Sequence, residues 1–288
     1  MDSRTSRRAS QVKEFWLRYK RNRLAVVGLV LSCLFVLVAV MAGMLSPFDP
    51  MRMVGHPFLF PDYGHLMGTD NLGRDVCSGV LYGARISLLV GFLAAATSIG
   101  LGVVVGGLGG FFGGIVDNVL MRLTELFMVI PRLFLALILV ALFGASVWNT
   151  IFVIGILSWP TMARLVRAEF LSLKDREFVL ASRAVGSNNY VLIFHEILPN
   201  ALPSIIVNGS LEVAKAILTE AGLSFLGLGD PRVPSWGVML GNAQQFIRNA
   251  WWMALFPGLA IFLVVLGLNL FGDGLNDALN PRLKQDYR

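Results

Sequence analysis

The chain has 288 residues, of which 56% are hydrophobic and 15% charged, and its mean hydropathy is +0.69. Soluble domains carry about a quarter charged residues, so this composition excludes a disordered chain, argues against a soluble enzyme and makes the bilayer the relevant solvent. The net charge of +6 does not point to nucleic acid, because the positive residues flank apolar blocks and do not line a groove.

Residues 1–23 read as a basic amphipathic segment. Val12, Phe15, Trp16 and Tyr19 share one helical face among Arg4, Arg7, Arg8, Lys13, Arg18, Lys20, Arg21 and Arg23, the pattern of a short helix lying in cytoplasmic headgroups. Residues 24–45 follow without a charge and reach about 33 Å as a helix, enough for a first span. The block is longer than a signal peptide's apolar region and runs on toward Pro47 and Pro50, which argues against cleavage.

Residues 46–85 read as an external loop, and residues 86–272 as a five-helix core. Its first uncharged stretch, Ile86 to Val116, carries Gly102, Gly106, Gly110 and Gly114 on one helical face, a ladder that lets a second helix approach closely. After the polar cluster Asp117, Arg122 and Glu125, the stretch from Leu126 to Ala163 carries Arg132 as its one charge. It predicts two spans turning at Gly144-Ala145-Ser146. A polar segment from Arg164 to Asn200 precedes a fifth span over Pro203–Gly222, and a sixth covers Trp251–Phe271, with residues 273–288 left as a tail.

The expected fold is therefore an all-α polytopic membrane protein with six transmembrane helices. With both termini cytoplasmic, 17 positive residues fall inside and five, Arg52, Arg74, Arg85, Arg232 and Arg248, fall outside.

Sites of chemistry are scarce. There is no Gly-Lys dipeptide and hence no G-x-x-x-x-G-K-[ST] loop, while Gly100-Leu101-Gly102 and Gly227-Leu228-Gly229 lack a third fingerprint glycine. The chain is therefore expected to bind no nucleotide. His56, His65 and His195 lack zinc spacing, and the two in the loop read as solvated; Cys33 and Cys77 suggest neither a disulfide nor a metal site. No catalytic residue, metal or cofactor of the chain's own is expected.

Two features remain. In the fifth span Asn208, Glu212, Lys215 and Thr219 form one polar stripe that lipid cannot face; it is either an ion pair joining helices or a wall of a hydrated path. The segment from Lys174 to Asn200 reads as a short helix bearing Glu177 and Arg183, a turn at Gly186, and a second helix stopped by proline. Small residues Ala181, Ser182 and Ala184 leave the first helix shallow enough for another protein to grip.

That segment resembles the cytoplasmic signature E-A-A-x3-G-x9-I-x-L-P of ABC importer permeases, with Ala181, Ser182, Gly186, Leu198 and Pro199 on matching positions. Leu180 stands at the glutamate and Glu196 at the isoleucine. Gly68-Thr69-Asp70-Asn71-Leu72-Gly73-Arg74-Asp75, Leu223-Ser224-Phe225-Leu226-Gly227-Leu228-Gly229 with Pro234-Ser235-Trp236-Gly237, and Asn269-Leu270-Phe271-Gly272-Asp273-Gly274-Leu275 resemble, more narrowly, permeases of the dipeptide, oligopeptide and nickel importers.

The resemblance implies a type I-like permease fold in a bacterial or archaeal inner membrane, with a cytoplasmic coupling loop over residues 169–202. It also implies a sister permease, two cytoplasmic ATPase subunits that bind ATP and Mg, and an external solute-binding protein. The rival is an ion-coupled carrier or passive channel using Glu212 and Lys215 without ATPase subunits.

Overall fold

The computed structural model describes residues 15–279, and their secondary structure is helical apart from isolated bridges and turns. After a short helix at residues 15–21 come α1 (Arg23–Leu45), α2 (Val76–Phe112), α3 (Gly114–Val129), α4 (Arg132–Phe143) and α5 (Val147–Leu173). They are followed by α6 (Glu177–Ala184), α7 (Leu198–Leu223), α8 (Trp236–Ala243) and α9 (Trp252–Leu279). The α-helical residues Asn189–Val191 and a π-helical stretch, Leu192–Ile197, lead into α7, and a second π-helical stretch, Ser224–Leu228, leaves it.

α2 is the axis of the molecule. It packs most extensively on α5 and also touches α1, α7 and α9. The glycine ladder explains the main seam: Gly102 lies against Met162 and Ala163, Gly106 against Ala163 and Val166, and Gly110 against Arg167 and Phe170. A Cβ at Gly102 would stand 2.6 Å from Met162 Cβ, so backbone proximity here excludes larger residues. Gly114 departs from the expected ladder. It has a φ of 55° with open space around it and opens α3 after Gly113, whose φ is 66°.

Several expected boundaries move. α2 begins at Val76, ten residues before the uncharged stretch, because Asp75 caps it: Oδ2 accepts from Ser78 N and from Ser78 Oγ, each at 2.7 Å. The third span is not one rod over an uncharged stretch. α3 contains Asp117, Arg122 and Glu125, and it meets α4 at 83° across Ile130-Pro131. Pro131 lacks an N–H and bars its predecessor from the helical region, so the chain must bend there. Among the described residues five helices are thus long and apolar enough to cross a membrane, and the bent pair, counted as one span, makes a sixth. The fourth-span turn falls at Gly144, φ 91°, as the sequence indicates.

At the chain ends, the expected tail is helical as far as Leu279, because Gly274 gives α9 room against Ala25 and Tyr19. Tyr19 is buried, not spread on headgroups; its hydroxyl donates to Ala25 O at 2.8 Å, and Asn22 Nδ2 reaches Asp277 Oδ2 at 2.9 Å. Burial first, and the neighbouring Cys33 second, push the Tyr19 phenol up to about 12. Residues 1–14 and 280–288, with Val12 and the terminal basic residues, lie outside the described part.

The loop from 46 to 75 is built on side-chain turns. Asp70 Oδ1 accepts from Leu72 N and Arg74 N, each at 2.8 Å, while Gly68 and Gly73 supply φ values of 72° and 74°. Trp252 Nε1 donates to Thr69 O at 3.0 Å, tying this loop to α9. His65 is not solvated as expected. Its Nδ1 lies 2.9 Å from Asp75 Oδ1, and its side chain is largely covered, whereas His56 is exposed.

Candidate functional site

The structure holds two candidate regions, one between α5 and α7 and one inside the span. In the first, α5 ends at Leu173 and the chain turns into α6, whose Val179 is fully buried against Leu192, Ile197 and other residues of one apolar cluster. This single anchor holds the short helix in place. Glu177, Ala181, Arg183 and Ala184 face outward with Phe178, Leu180 and Val185, so a largely apolar, small-residue surface is left uncovered.

Gly186 follows with φ 86° and no atom within 4 Å of a built Cβ, so its requirement is conformational and not steric. Ser182 Oγ donates to Ser187 Oγ at 2.9 Å across that turn, and Asn188 caps the next helix by accepting from Val191 N. Leu198 and Pro199 begin α7 directly after the π-helical stretch Leu192–Ile197, with Pro199 in its first turn. Of the residues expected for coupling, Glu177, Ala181 and Arg183 are exposed on α6 and Gly186 is exposed in the turn, Ser182 is half-buried, and Leu198 packs partly against the cluster that anchors Val179.

The second region departs from the even polar stripe of the sequence reading. Glu212 is buried, with a side-chain exposure of 4%, and its closest cation is Arg132 of α4: Nη2 donates to Oε1 at 3.0 Å. The same nitrogen donates to Ser158 Oγ of α5, and Ser158 in turn donates to Ile154 O at 2.6 Å. Lys215 Nζ stands 3.7 Å from Glu212 Oε2 with 56% of its side chain exposed. Asn208 donates to Ser204 O at 2.9 Å and Thr219 to Lys215 O at 2.8 Å, both inside α7. The stripe thus holds one interhelical ion pair and one loosely engaged lysine, flanked by two self-satisfied polar residues. Arg132 escaped the sequence reading because its partner is 80 positions away; its isolation as the one charge in a long apolar run was the available signal.

Glu220 was also missed. It is buried eight residues beyond Glu212, with Oε1 accepting from Ser224 and Ser235 hydroxyls at 2.7 Å each and Oε2 from Ser87 at 3.5 Å. Ser87 Oγ also accepts from Trp236 N at 3.3 Å. This knot joins α2, α7 and α8 and places Trp236 in the core, edge-on to Phe35. The serines within the quoted Leu223–Gly229 and Pro234–Gly237 motifs were its trace in the sequence.

A third ionic contact is held near one end of the spans. Arg167 of α5 grips Asp117 of α3 with two nitrogens at 2.5 Å each, beside a cavity of about 520 Å³ lined by Glu125 and Arg164 among others. It braces the bent span against α5.

Bundled spans joined by interhelical ion pairs, one of them broken, define a polytopic α-helical membrane protein. The comparisons make the class specific. Residues 98–285 match the family model of the binding-protein-dependent transport system inner membrane component, and residues 10–63 match the N-terminal TM domain of oligopeptide transport permease C. The chain belongs to this family of binding-protein-dependent inner-membrane components and is a permease subunit of an ABC importer.

Among its relatives, the dipeptide transport system permease protein DppC of Escherichia coli K12 is 45% identical over 282 residues, covering 95% of this chain and 94% of that one. DppC of Alkalihalophilus pseudofirmus is 41% identical, covering 94% and 90%. The glutathione transport system permease protein GsiD of Pectobacterium atrosepticum is 39% identical, covering 94% and 91%. A chain of the MetNI methionine ABC transporter in inward-facing conformations superposes with a TM-score of 0.56 at 19% identity, covering 68% of this chain and 93% of that one. An amino acid ABC transporter gives 0.53 at 16% identity, covering 68% and 92%. These two carry the fold alone.

Proposed function

We propose that this permease forms half of the translocation path for di- or oligopeptides delivered by an external solute-binding protein. The relatives named for dipeptide transport support the substrate class. In this reading a different sister permease completes the path, and two cytoplasmic ATPase subunits bind the ATP and Mg. Both termini lie in the cytoplasm. The chain performs no chemistry of its own; its mechanism is rigid-body transfer of motion from the ATPases through α6 into α5 and α7.

The observation that carries the reading is α6 itself. It is an eight-residue helix held by the buried Val179 and ending at a glycine whose φ is 86°, with Glu177, Ala181, Arg183 and its apolar neighbours uncovered. Small residues let a partner's cleft close over the helix. On the same reading Asn208, Glu212, Lys215 and Thr219 are the residues of α7 nearest the path, since lysine exposed to lipid would cost about 3 kcal/mol.

The test is co-purification. Gly186→Val should strain the turn and Ala181→Arg should block the cleft, so both should insert normally while losing the ATPase subunits or their substrate-stimulated hydrolysis. Wild-type values for both properties in both variants would remove α6 from the coupling role.

A further inference from the structure

Three helices deliver polar groups to one depth. Arg132 lies eleven residues before the end of α4 at Phe143 and Ser158 eleven after the start of α5 at Val147. At 1.5 Å per residue both are about 17 Å in from the Gly144 turn that α4 and α5 share, and Glu212 of α7, 3.0 Å from Arg132, lies at the same depth. In a hydrocarbon core of about 30 Å that depth is near the middle.

Among the described residues of this chain the charges there do not balance. Glu212 supplies one negative charge to two cations, Arg132 and Lys215, whose side chains are 36% and 56% exposed. Arg132 engages Glu212 and Ser158 through the single nitrogen Nη2, and Lys215 sits beyond hydrogen-bond reach of Glu212. A third positive element is the start of α4. The 83° bend at Pro131 leaves its first N–H groups at this depth, and no side chain caps them. An excess of positive potential at mid-span is expensive unless an anion visits it.

We propose that Arg132, Lys215 and the N-terminus of α4 form a transit subsite for a carboxylate of the transported solute, for a peptide its C-terminal carboxylate. Glu212 fixes Arg132 in position and, as a resident counter-charge, keeps the subsite weak enough to release what it binds. Lys215 is the adaptable member, a mobile ammonium able to swing from Glu212 to the passing anion. The proposal rests on the peptide-importer reading and adds to it a chemical group, a depth and a residue, Arg132, outside α7.

The experiment uses the assembled transporter in vesicles, with permease pair, ATPases and binding protein present. Import of a labelled dipeptide with a free C-terminal carboxylate is compared with import of its C-terminal amide, each rate corrected for occupancy of the binding protein. Wild type should favour the acid. Lys215→Met removes an exposed side chain and should lower the acid-to-amide ratio about tenfold, the loss of one charge-assisted hydrogen bond. Glu212→Gln removes the competing negative charge while keeping the side chain's shape, and it should raise the ratio. Wild-type import with a ratio unchanged in both variants would overturn the subsite and leave the importer reading standing. Failure of wild type to import either peptide would overturn the peptide reading and, with it, the subsite.

Discussion

Arg132 and Glu212 meet at 3.0 Å although Arg132 opens a helix that begins at a sharp bend and Glu212 lies deep in another span. The pair ties the second half of the bent span to α7, with Ser158 of α5 as third member. Glu212→Ala would leave the arginine half-buried without its partner. Because Arg132 retains some solvent access, the expected loss is about 2 kcal/mol, below the 3–5 kcal/mol typical of a fully buried pair. Thermal unfolding of the purified complex measures it, and Glu212→Gln, which keeps an acceptor for Nη2, should lose less.

Glu220 makes a different demand, because its partners are the hydroxyls of Ser87, Ser224 and Ser235. Glu220→Gln preserves a carbonyl acceptor and should fold. Glu220→Leu takes away the acceptor of the Ser87, Ser224 and Ser235 hydroxyls, at about 1–3 kcal/mol for a buried donor left unpaired, and should destabilise α8 and the core around Trp236. Near-equal melting temperatures for the two variants would contradict this division.

The α2–α5 seam separates glycines that look alike in the sequence. A Cβ at Gly106 would run into the backbone of Ala163, whereas one at Gly100 meets nothing within 4 Å. Gly100→Ala should therefore be neutral or stabilise by up to about 1 kcal/mol through helix propensity. Gly106→Ala should force the helices apart and lower the yield of folded protein, read by size-exclusion of the solubilised complex.

In the loop before α8, Asp230 accepts from Arg232 N, Nε and Nη2 at 3.0, 2.9 and 2.8 Å. The Arg232 side-chain hydrogen bonds hold its carboxyl below the usual carboxylate range, so the folded form binds protons less readily than the unfolded one. The stabilisation is thus complete above the ordinary aspartate value and lost as pH falls through the lowered one. Hydrogen-exchange protection of residues 229–235, taken relative to intrinsic exchange at each pH, should stay flat from neutrality to that range and fall below it. Asp230→Asn should exchange quickly at every pH.

The proposed cytoplasmic placement of both termini rests on the distribution of positive residues and is tested by single-cysteine labelling in a background without Cys33 and Cys77. A Cys at Ser187, beside the turn of the α6 surface, should resist an impermeant reagent in intact cells and react in inverted vesicles. Labelling of intact cells at that position would reverse the assignment.

Much was legible because local chemistry wrote it. Uncharged runs announced the spans, Gly102, Gly106 and Gly110 announced a close helix seam, and Gly186 announced a turn that needs positive φ. In each case the constraint is carried by residues adjacent on the chain or by the cost of exposing charge to lipid. The start of α2 was misjudged because a capping carboxylate, Asp75, outweighs the charge of Arg85, which remains exposed on the helix surface. The choice of Arg132 over Lys215 as the closest partner of Glu212, and the reach of Glu220 to Ser87 of α2, were decided by tertiary structure alone. Their partners lie tens of residues away or more, and a buried charge selects whichever complementary group the packing of other helices brings within about 3 Å.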